Sequence, residues 1–416
     1  MKYKKGVFDM KGTKSKRQII GASVCYVICA AVVLFGYAMI SMLFGTAIKT
    51  MEAVIAGGIA FTIWLVIRTT GVQGKGKRYA NMGLILALVG CVGWAGYGYY
   101  LESIPTISDR DLMLHEYAPF EEGTKAVKLE EESTLKFTED QRIRIDGATA
   151  LYPVYSGFVQ AVYPEGEYRR YDGLADGGDK DGYGMVTCSN TVYAYERLIE
   201  GKTDVIFVAG PSDAQLELAK EKGMELHLTP VGREAFVFFV NSKNPVEGLT
   251  VEEIQKIYSG EIRSWKEVGG PNWNIRAFQR AENSGSQTAL QRLMGDVPLM
   301  EPETENRISA MDGIINQVAN YRNHKNAIGF SFRYYSTQMV TSNEIRLLAL
   351  NGVLPTEETI ADGSYPVSNT FYAVTASKIG EPAPEDIDDN IGAFLNWVLS
   401  EQGQNIIEET GYVPLQ

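Results

Sequence analysis

"DVIFVAGPSDAQLELAKEKG", Asp204–Gly223, is the stretch whose reading decides the fold. Its first part is a short unbroken apolar run, Val205 to Ala209, bounded by Asp204 and Gly210, as in a strand buried on both faces. From Asp213 the apolar residues recur at helical spacing, and Gly223 supplies the stop. A strand that feeds a helix through a tight turn is the building unit of an α/β domain.

The same alternation extends outward in both directions. Upstream, "IRIDGA" (Ile143–Ala148) reads as a strand, and "ALYPVYSGFVQAVY" and "AYERLIEG" read as helices. Downstream, "AFVFFVN" and "IRAFQRA" read as strands, and "TVEEIQKIYSG" and "SGSQTALQRLMG" as helices. The expectation is an α/β domain with mostly parallel sheets over residues 141–416.

The chain has 416 residues, 45% of them apolar, enough for more than one buried core. Its charge is unevenly spread: 12 Lys and Arg face 2 Asp and Glu up to Leu101, whereas 27 face 49 beyond it. The basic part carries three apolar runs, Ile19–Phe44, Met51–Ile67 and Met82–Tyr100. Each approaches the ~20 residues that a helix needs to cross a hydrocarbon core, so three membrane spans are expected. "MKYKKGVFDMKGTKSKR" before the first run and "RTTGVQGKGKR" after the second are strongly basic, which keeps both inside and places everything after Tyr100 outside. "LVGC", Leu88–Cys91, looks like a lipoprotein cleavage box, but apolar sequence continues to Tyr100, favouring a plain helix. The aromatic "WAGYGYY" suits an interfacial belt, and residues 102–140 read as a linker leading away from the bilayer.

Few catalytic chemistries are encoded. Cys25, Cys29 and Cys91 fall in the apolar runs, so Cys188 stands alone outside and no disulfide framework can form there. His115, His227 and His324 are scattered, without the spacing of a zinc site. No G-x-S-x-G, H-E-x-x-H or Walker A loop is present. Asp172, Asp176, Asp179 and Asp181 in "YDGLADGGDKDGYG" could hold calcium, but an EF-hand register would need Asp at Gly177 and Glu at Cys188; a solvated turn accounts for them better. Glu282 could be a general acid but has no nucleophile and base beside it. No cofactor, no metal and no nucleic acid is expected.

Three turns before helices concentrate small hydrogen-bond donors. "DGATALYP" places Thr149 and Ala150 there, "TCSNTVYAYERL" places Ser189, Asn190 and Thr191, and "RAENSGSQT" places Ser284, Gly285 and Ser286, with Arg280 just before. Free N–H groups and the helix dipole make such termini anion sites, glycine permits close backbone approach, and arginine can fork onto two oxygens. Any one of these turns is more simply a helix cap, since Ser and Thr lead that role. Three together, one with an arginine, favour an oxyanion cradle. The acidic exterior repels anions at long range, so binding must come from short-range, dehydrated hydrogen bonds.

From about Arg144 to the end, the sequence resembles the phosphate-binding proteins of bacterial phosphate ABC importers, in the periplasmic-binding-protein-like class II fold. The resemblance runs through "DGATALYP", "GKTDVIFVAGPSD", "IQKIYSGEIRSW", "RAENSGSQT", "MDGIINQVAN", "NAIGFSF", "YPVSNTFYAVT" and "AFLNWVLSEQGQNIIEETGYVPL". It implies two lobes closing on a dehydrated phosphate: lobe one from about 141–230 and 334–416, lobe two from about 231–333. It also implies a ligand set of Thr149, the N–H of Ala150, Thr191, Arg280, Ser284, Gly285 and Ser286, to which the donor count of the second turn adds Ser189. The implied role is an extracytoplasmic solute-binding protein, anchored by three spans, that captures phosphate or a similar oxyanion for ABC importer permease subunits and is not an enzyme. Alternatives are an oxyanion-sensing ectodomain signalling through the spans and a cell-surface enzyme acting on phosphoesters. One feature departs from the family, which has an aspartate after this strand to accept the ligand proton. Here Val208 or Ala209 takes that place, and the nearest carboxylate, Asp213, sits where an N-cap is expected.

Overall fold

The computed structural model describes residues 16–43, 48–69, 74–103, 106–108, 114–168, 184–301, 320–322, 324–339 and 344–415. The chain divides into two units, Met1–Pro105 and Thr106–Gln416.

The first unit contains helices α1 (Lys16–Leu43), α2 (Ile48–Thr69) and α3 (Lys75–Ser103). Within α2 and α3, Thr50–Thr69 and Lys75–Tyr100 are long and apolar enough to cross a membrane; these are the two such stretches among the described residues. The first expected span is helical over 28 residues, with many of its side chains outside the description. Small residues let α2 and α3 approach: a methyl added at Gly57 would sit 3.6 Å from Leu88 Cδ2 and 3.7 Å from Cys91 Sγ. Polar groups pair across the helices, with Ser23 Oγ 3.2 Å from Thr69 Oγ1 and Trp94 Nε1 donating to Glu52 Oε2 at 2.9 Å. Large apolar side chains such as Ile85, Leu86 and Val92 face outward.

The second unit alternates strands and helices. In chain order it comprises β1 (Thr106–Ser108), β2 (Ile145–Gly147), α4 (Tyr152–Val162), α5 (Asn190–Ile199), β3 (Val205–Ala209), α6 (Asp213–Glu221) and the long β4 (Met224–Asn241). There follow β5 (Gly248–Leu249), α7 (Val251–Tyr258), β6 (Arg276–Ala277), α8 (Gly285–Met294), β7 (Asn320–Arg322), β8 (Ala327–Phe332), β9 (Ile345–Leu347) and β10 (Ala349–Leu350). Last come α9 (Glu357–Ala361), β11 (Ser368–Lys378), α10 (Pro384–Ile387), α11 (Asp389–Val398), α12 (Glu401–Thr410) and β12 (Val413–Pro414).

The main sheet has the order β2-β3-β11-β4-β8-β6, with β9 and β12 also on β4. Up to Ala235, β4 pairs with β11; from Phe236 on, it pairs with β8 and then β9. One continuous strand therefore serves both lobes, and the crossing lies at Glu234 and Ala235. The sheet is mixed and not mostly parallel as the sequence suggested. The pairs β2·β3 and β6·β8 are parallel, but β11 runs antiparallel to both β3 and β4. The reason is that two long strands, β4 and β11, connect the lobes in opposite directions.

Two principal cores flank that crossing. The first gathers Tyr155, Phe158, Phe207, Phe394, Trp397 and Ile406, the second Phe236, Phe238, Tyr258, Trp265, Leu290 and Phe330. Leu348, Leu350, Ile360 and Tyr365 also lie in the second core, so the second lobe reaches well past the 333 expected from sequence. The segment taken as a linker away from the bilayer is in part a strap on lobe one. Leu114, Tyr117 and Phe137 join its core, and Phe137 N donates to Val162 O at 2.8 Å, because burying these apolar groups outweighs leaving them in water.

Candidate functional site

The turn after β2 is built around Asp146. Its wholly buried carboxylate accepts from Gly147 N (2.7 Å), Ser189 N (2.8 Å), Ser189 Oγ (2.7 Å) and Arg197 Nε (2.8 Å). Burial raises this carboxyl, and the Ser189 and Arg197 contacts oppose that rise. The network ties the start of α5 to the end of β2. It also spends the Ser189 hydroxyl on Asp146, so Ser189 positions the turn. Gly147 is required beside it, since a Cβ there would lie 2.5 Å from Phe207 O.

The Thr149 turn is a single 3-10 turn, Thr149–Leu151, leading into α4. Tyr412 donates its hydroxyl to Ala150 O, fixing the turn from the far end of the chain. Thr149 also reaches the Cys188 thiol, which burial pushes up to about 12, leaving a small neutral neighbour. In the second turn Asn190 adopts φ of 73° and its Oδ1 accepts from Val192 N at 3.0 Å, satisfying one N–H of the first turn of α5. Thr191 is buried next to it.

The third turn starts α8. Ser284 is its N-cap, with Oγ accepting from Gln287 N at 3.3 Å, and Arg280 N donates to Gln287 Oε1 at 2.9 Å. Gly285 comes from lobe two yet lies against lobe one. A Cβ at that position would be 3.2 Å from Thr191 Oγ1, 3.5 Å from Ala209 Cβ and 3.7 Å from Phe332 Cε2. The starts of α5 and α8 thus meet, and Ser286 is buried behind the contact. Further bonds hold the lobes here: Ser212 Oγ donates to Asn283 Oδ1 at 3.0 Å, Gln215 Nε2 to Asn283 O at 3.3 Å and Arg292 Nη2 to Pro211 O at 2.8 Å.

A cavity opens beneath this junction. Ala148, Ala150 and Leu151 line it from the first turn, and Thr191 and Ala209 from the ends of α5 and β3. Its remaining wall comes from the crossing: Glu234, Phe332, Asn369, Thr370, Phe371 and Tyr412. Ala209 on this wall has no polar side chain, whereas Val208 is wholly buried in a separate cluster. Asp213 is exposed in the first turn of α6, and the cap of that helix is Ser212, not Asp213. Glu282 is exposed and accepts from Gln291 Nε2 at 3.3 Å.

Sequence reasoning did not single out Glu234, Asn369 or Arg292. Asn369 lay within the quoted "YPVSNTFYAVT", and Glu234 immediately precedes an apolar strand, where a charge looks like a strand boundary. Among the described residues no group of three or more His, Cys, Asp or Glu is placed to hold a metal ion. Asp172, Asp176, Asp179 and Asp181 lie outside the described residues.

The chain is 26% identical to the phosphate-binding protein PstS of Borreliella burgdorferi, over 44% of this chain and 64% of that protein. It is 27% identical to PstS of Staphylococcus saprophyticus, over 55% of this chain and 70% of that protein. Among solved structures, an ABC-type phosphate transport receptor from Vibrio cholerae covers 66% of this chain and 100% of its own, with 19% identity and a TM-score of 0.42. Residues 131–402, well over half of the chain, match the family described as the PBP superfamily domain. The chain belongs to the PBP superfamily.

Proposed function

We infer that this chain is a membrane-anchored, extracytoplasmic solute-binding protein that captures phosphate, or a similar tetrahedral oxyanion, for the permease of an ABC importer. The observation that carries this reading is the meeting of Gly285 with Thr191 and Ala209 beside a cavity, two helix starts from opposite lobes brought to one place. N–H groups at helix starts hold an anion without formal charge, and burial strengthens each bond. Thr149, the N–H of Ala150, Thr191, Ser284, Gly285 and Ser286 are the proposed donors, with Arg280 as the countercharge and Ser189 holding its turn through Asp146. The names of the PstS relatives agree with phosphate as the ligand. The anchor is α1, α2 and α3, taken as three spans with the amino terminus in the cytoplasm. The protein acts as a binder with no turnover.

Calorimetry of the full chain in detergent, titrated with inorganic phosphate at pH 7, tests this. Saturable one-to-one binding is expected, and Arg280→Ala should weaken it by about 2–5 kcal/mol, the cost of leaving a buried charge without its partner. Equal affinity in the variant would remove Arg280 from the site, and no binding of phosphate, arsenate or sulfate would end the oxyanion reading.

A further inference from the structure

Glu234 sits where β4 passes between the lobes, 4% exposed, and it lines the cavity. Its Oε1 accepts from Ala235 N at 3.1 Å and Tyr334 N at 3.4 Å. Its Oε2 is buried without a hydrogen-bond partner. Asn369 stands opposite in register on β11, lines the same cavity, and leaves its Nδ2 equally without a partner. Buried polar atoms are normally satisfied, and two exceptions on paired residues facing one cavity mark a place for a polar ligand.

The surroundings decide which form of the carboxyl occupies that place. Loss of water is the largest influence and pushes Glu234 up to about 8. The groups facing it are Arg333, Tyr334 and Tyr412. Arg333 opposes the rise, but its guanidinium is engaged by Glu357 Oε1 at 2.8 Å and Gly411 O at 3.2 Å. Tyr334 and Tyr412 are both pushed well above the ordinary phenol range, so neither adds charge at neutral pH.

We propose that Glu234 is a specificity-determining donor of this site: its Oε2–H gives a hydrogen bond to the bound oxyanion, next to the Asn369 amide. This deepens the oxyanion reading above and rests on it. A neutral carboxylic acid adds a donor to a cradle of donors, whereas the ionised form would set a negative charge against a dianion. The residue therefore favours a fully deprotonated oxygen on the ligand and releases the ligand as the acid ionises. A carboxylate serving as acceptor would require a ligand proton and would give the opposite preference.

The test is phosphate binding by the full-length protein and by Glu234→Gln between pH 7.5 and 9.5, where the ligand is mainly the dianion. Wild-type affinity should fall about tenfold per pH unit above about pH 8, and that of the amide variant, which always donates, should stay level. Calorimetry at pH 9 in two buffers of different ionisation enthalpy should show close to one proton taken up per phosphate by the wild type and none attributable to this site in the variant. A level wild-type profile, or equal slopes and equal proton uptake in both proteins, overturns the proposal while the oxyanion reading stands. Because the wild-type profile alone decides the first point, poor folding of the variant does not rescue the idea. Failure of both proteins to bind phosphate at any pH sinks the oxyanion reading and this inference with it.

Discussion

At the scale of single residues, the buried carboxyls Asp146 and Glu234 have opposite surroundings. Asp146 is met by an arginine and three further donors, so its removal breaks a buried ion pair and strips three more buried hydrogen bonds at once. Asp146→Ala should destabilise the second unit by about 3–5 kcal/mol, read from urea unfolding of the full chain. A loss below 1 kcal/mol would mean that the network contributes little. Glu234 instead accepts from two backbone N–H groups while the Arg333 guanidinium is engaged elsewhere, and its proton is held in the folded state from the ordinary value near 4.5 up to about 8. Between those values the folded protein binds more protons than the unfolded chain. Its stability should therefore fall as pH rises through that window, by at most about 1.4 kcal/mol per unit, and level off above it. Glu234→Gln should abolish that part of the slope in ligand-free melting curves from pH 5 to 8.5; parallel curves would show that Glu234 does not titrate there.

At the scale of elements, α6 and α8 meet through their starts, and Ser212 is central to the contact. Its hydroxyl accepts from Gln215 N and donates to Asn283, so it caps one helix and grips the turn before the other. Ser212→Ala should cost about 1 kcal/mol from the cap and should also loosen closure, seen as faster amide exchange at residues 283–285. A cap loss with unchanged exchange would confine Ser212 to its own helix. The strand–helix pairs were legible from sequence because their periods are clean: Val205–Ala209 is wholly apolar, and Asp213–Glu221 has caps at both ends. All three donor turns were legible as turns before helices, and Gly285 lies against Thr191; their part in holding an anion is the proposal above. The length of β4 was not, since its first part, "MELHLTPVGRE", is half exposed and mixes charges with a proline. Glu234 could not be recognised because its meaning depends on β11, more than a hundred residues later, passing beside it.

At the scale of the whole molecule, the charge asymmetry of the loops predicts orientation. A reporter fused after Tyr100 should be active outside the cell, and one inserted at the basic stretch Gly74–Arg78 only inside; the reverse pattern would remove the extracytoplasmic role. The crossing strands carry a further consequence, which concerns the order of synthesis. Phe158 packs on Trp397 with ring centroids 6.1 Å apart, and Ile406 reaches Gly157, so lobe one needs helices made at the very end of the chain. Lobe two is complete only once Tyr365 and Val413 have joined it. At roughly 5–20 residues per second, tens of seconds separate the first part of lobe one from the helices that cover it. Through that interval the polypeptide has its apolar strands uncovered. Its vulnerability to proteases and to aggregation is therefore concentrated in the minute of its birth, long before any ligand is met.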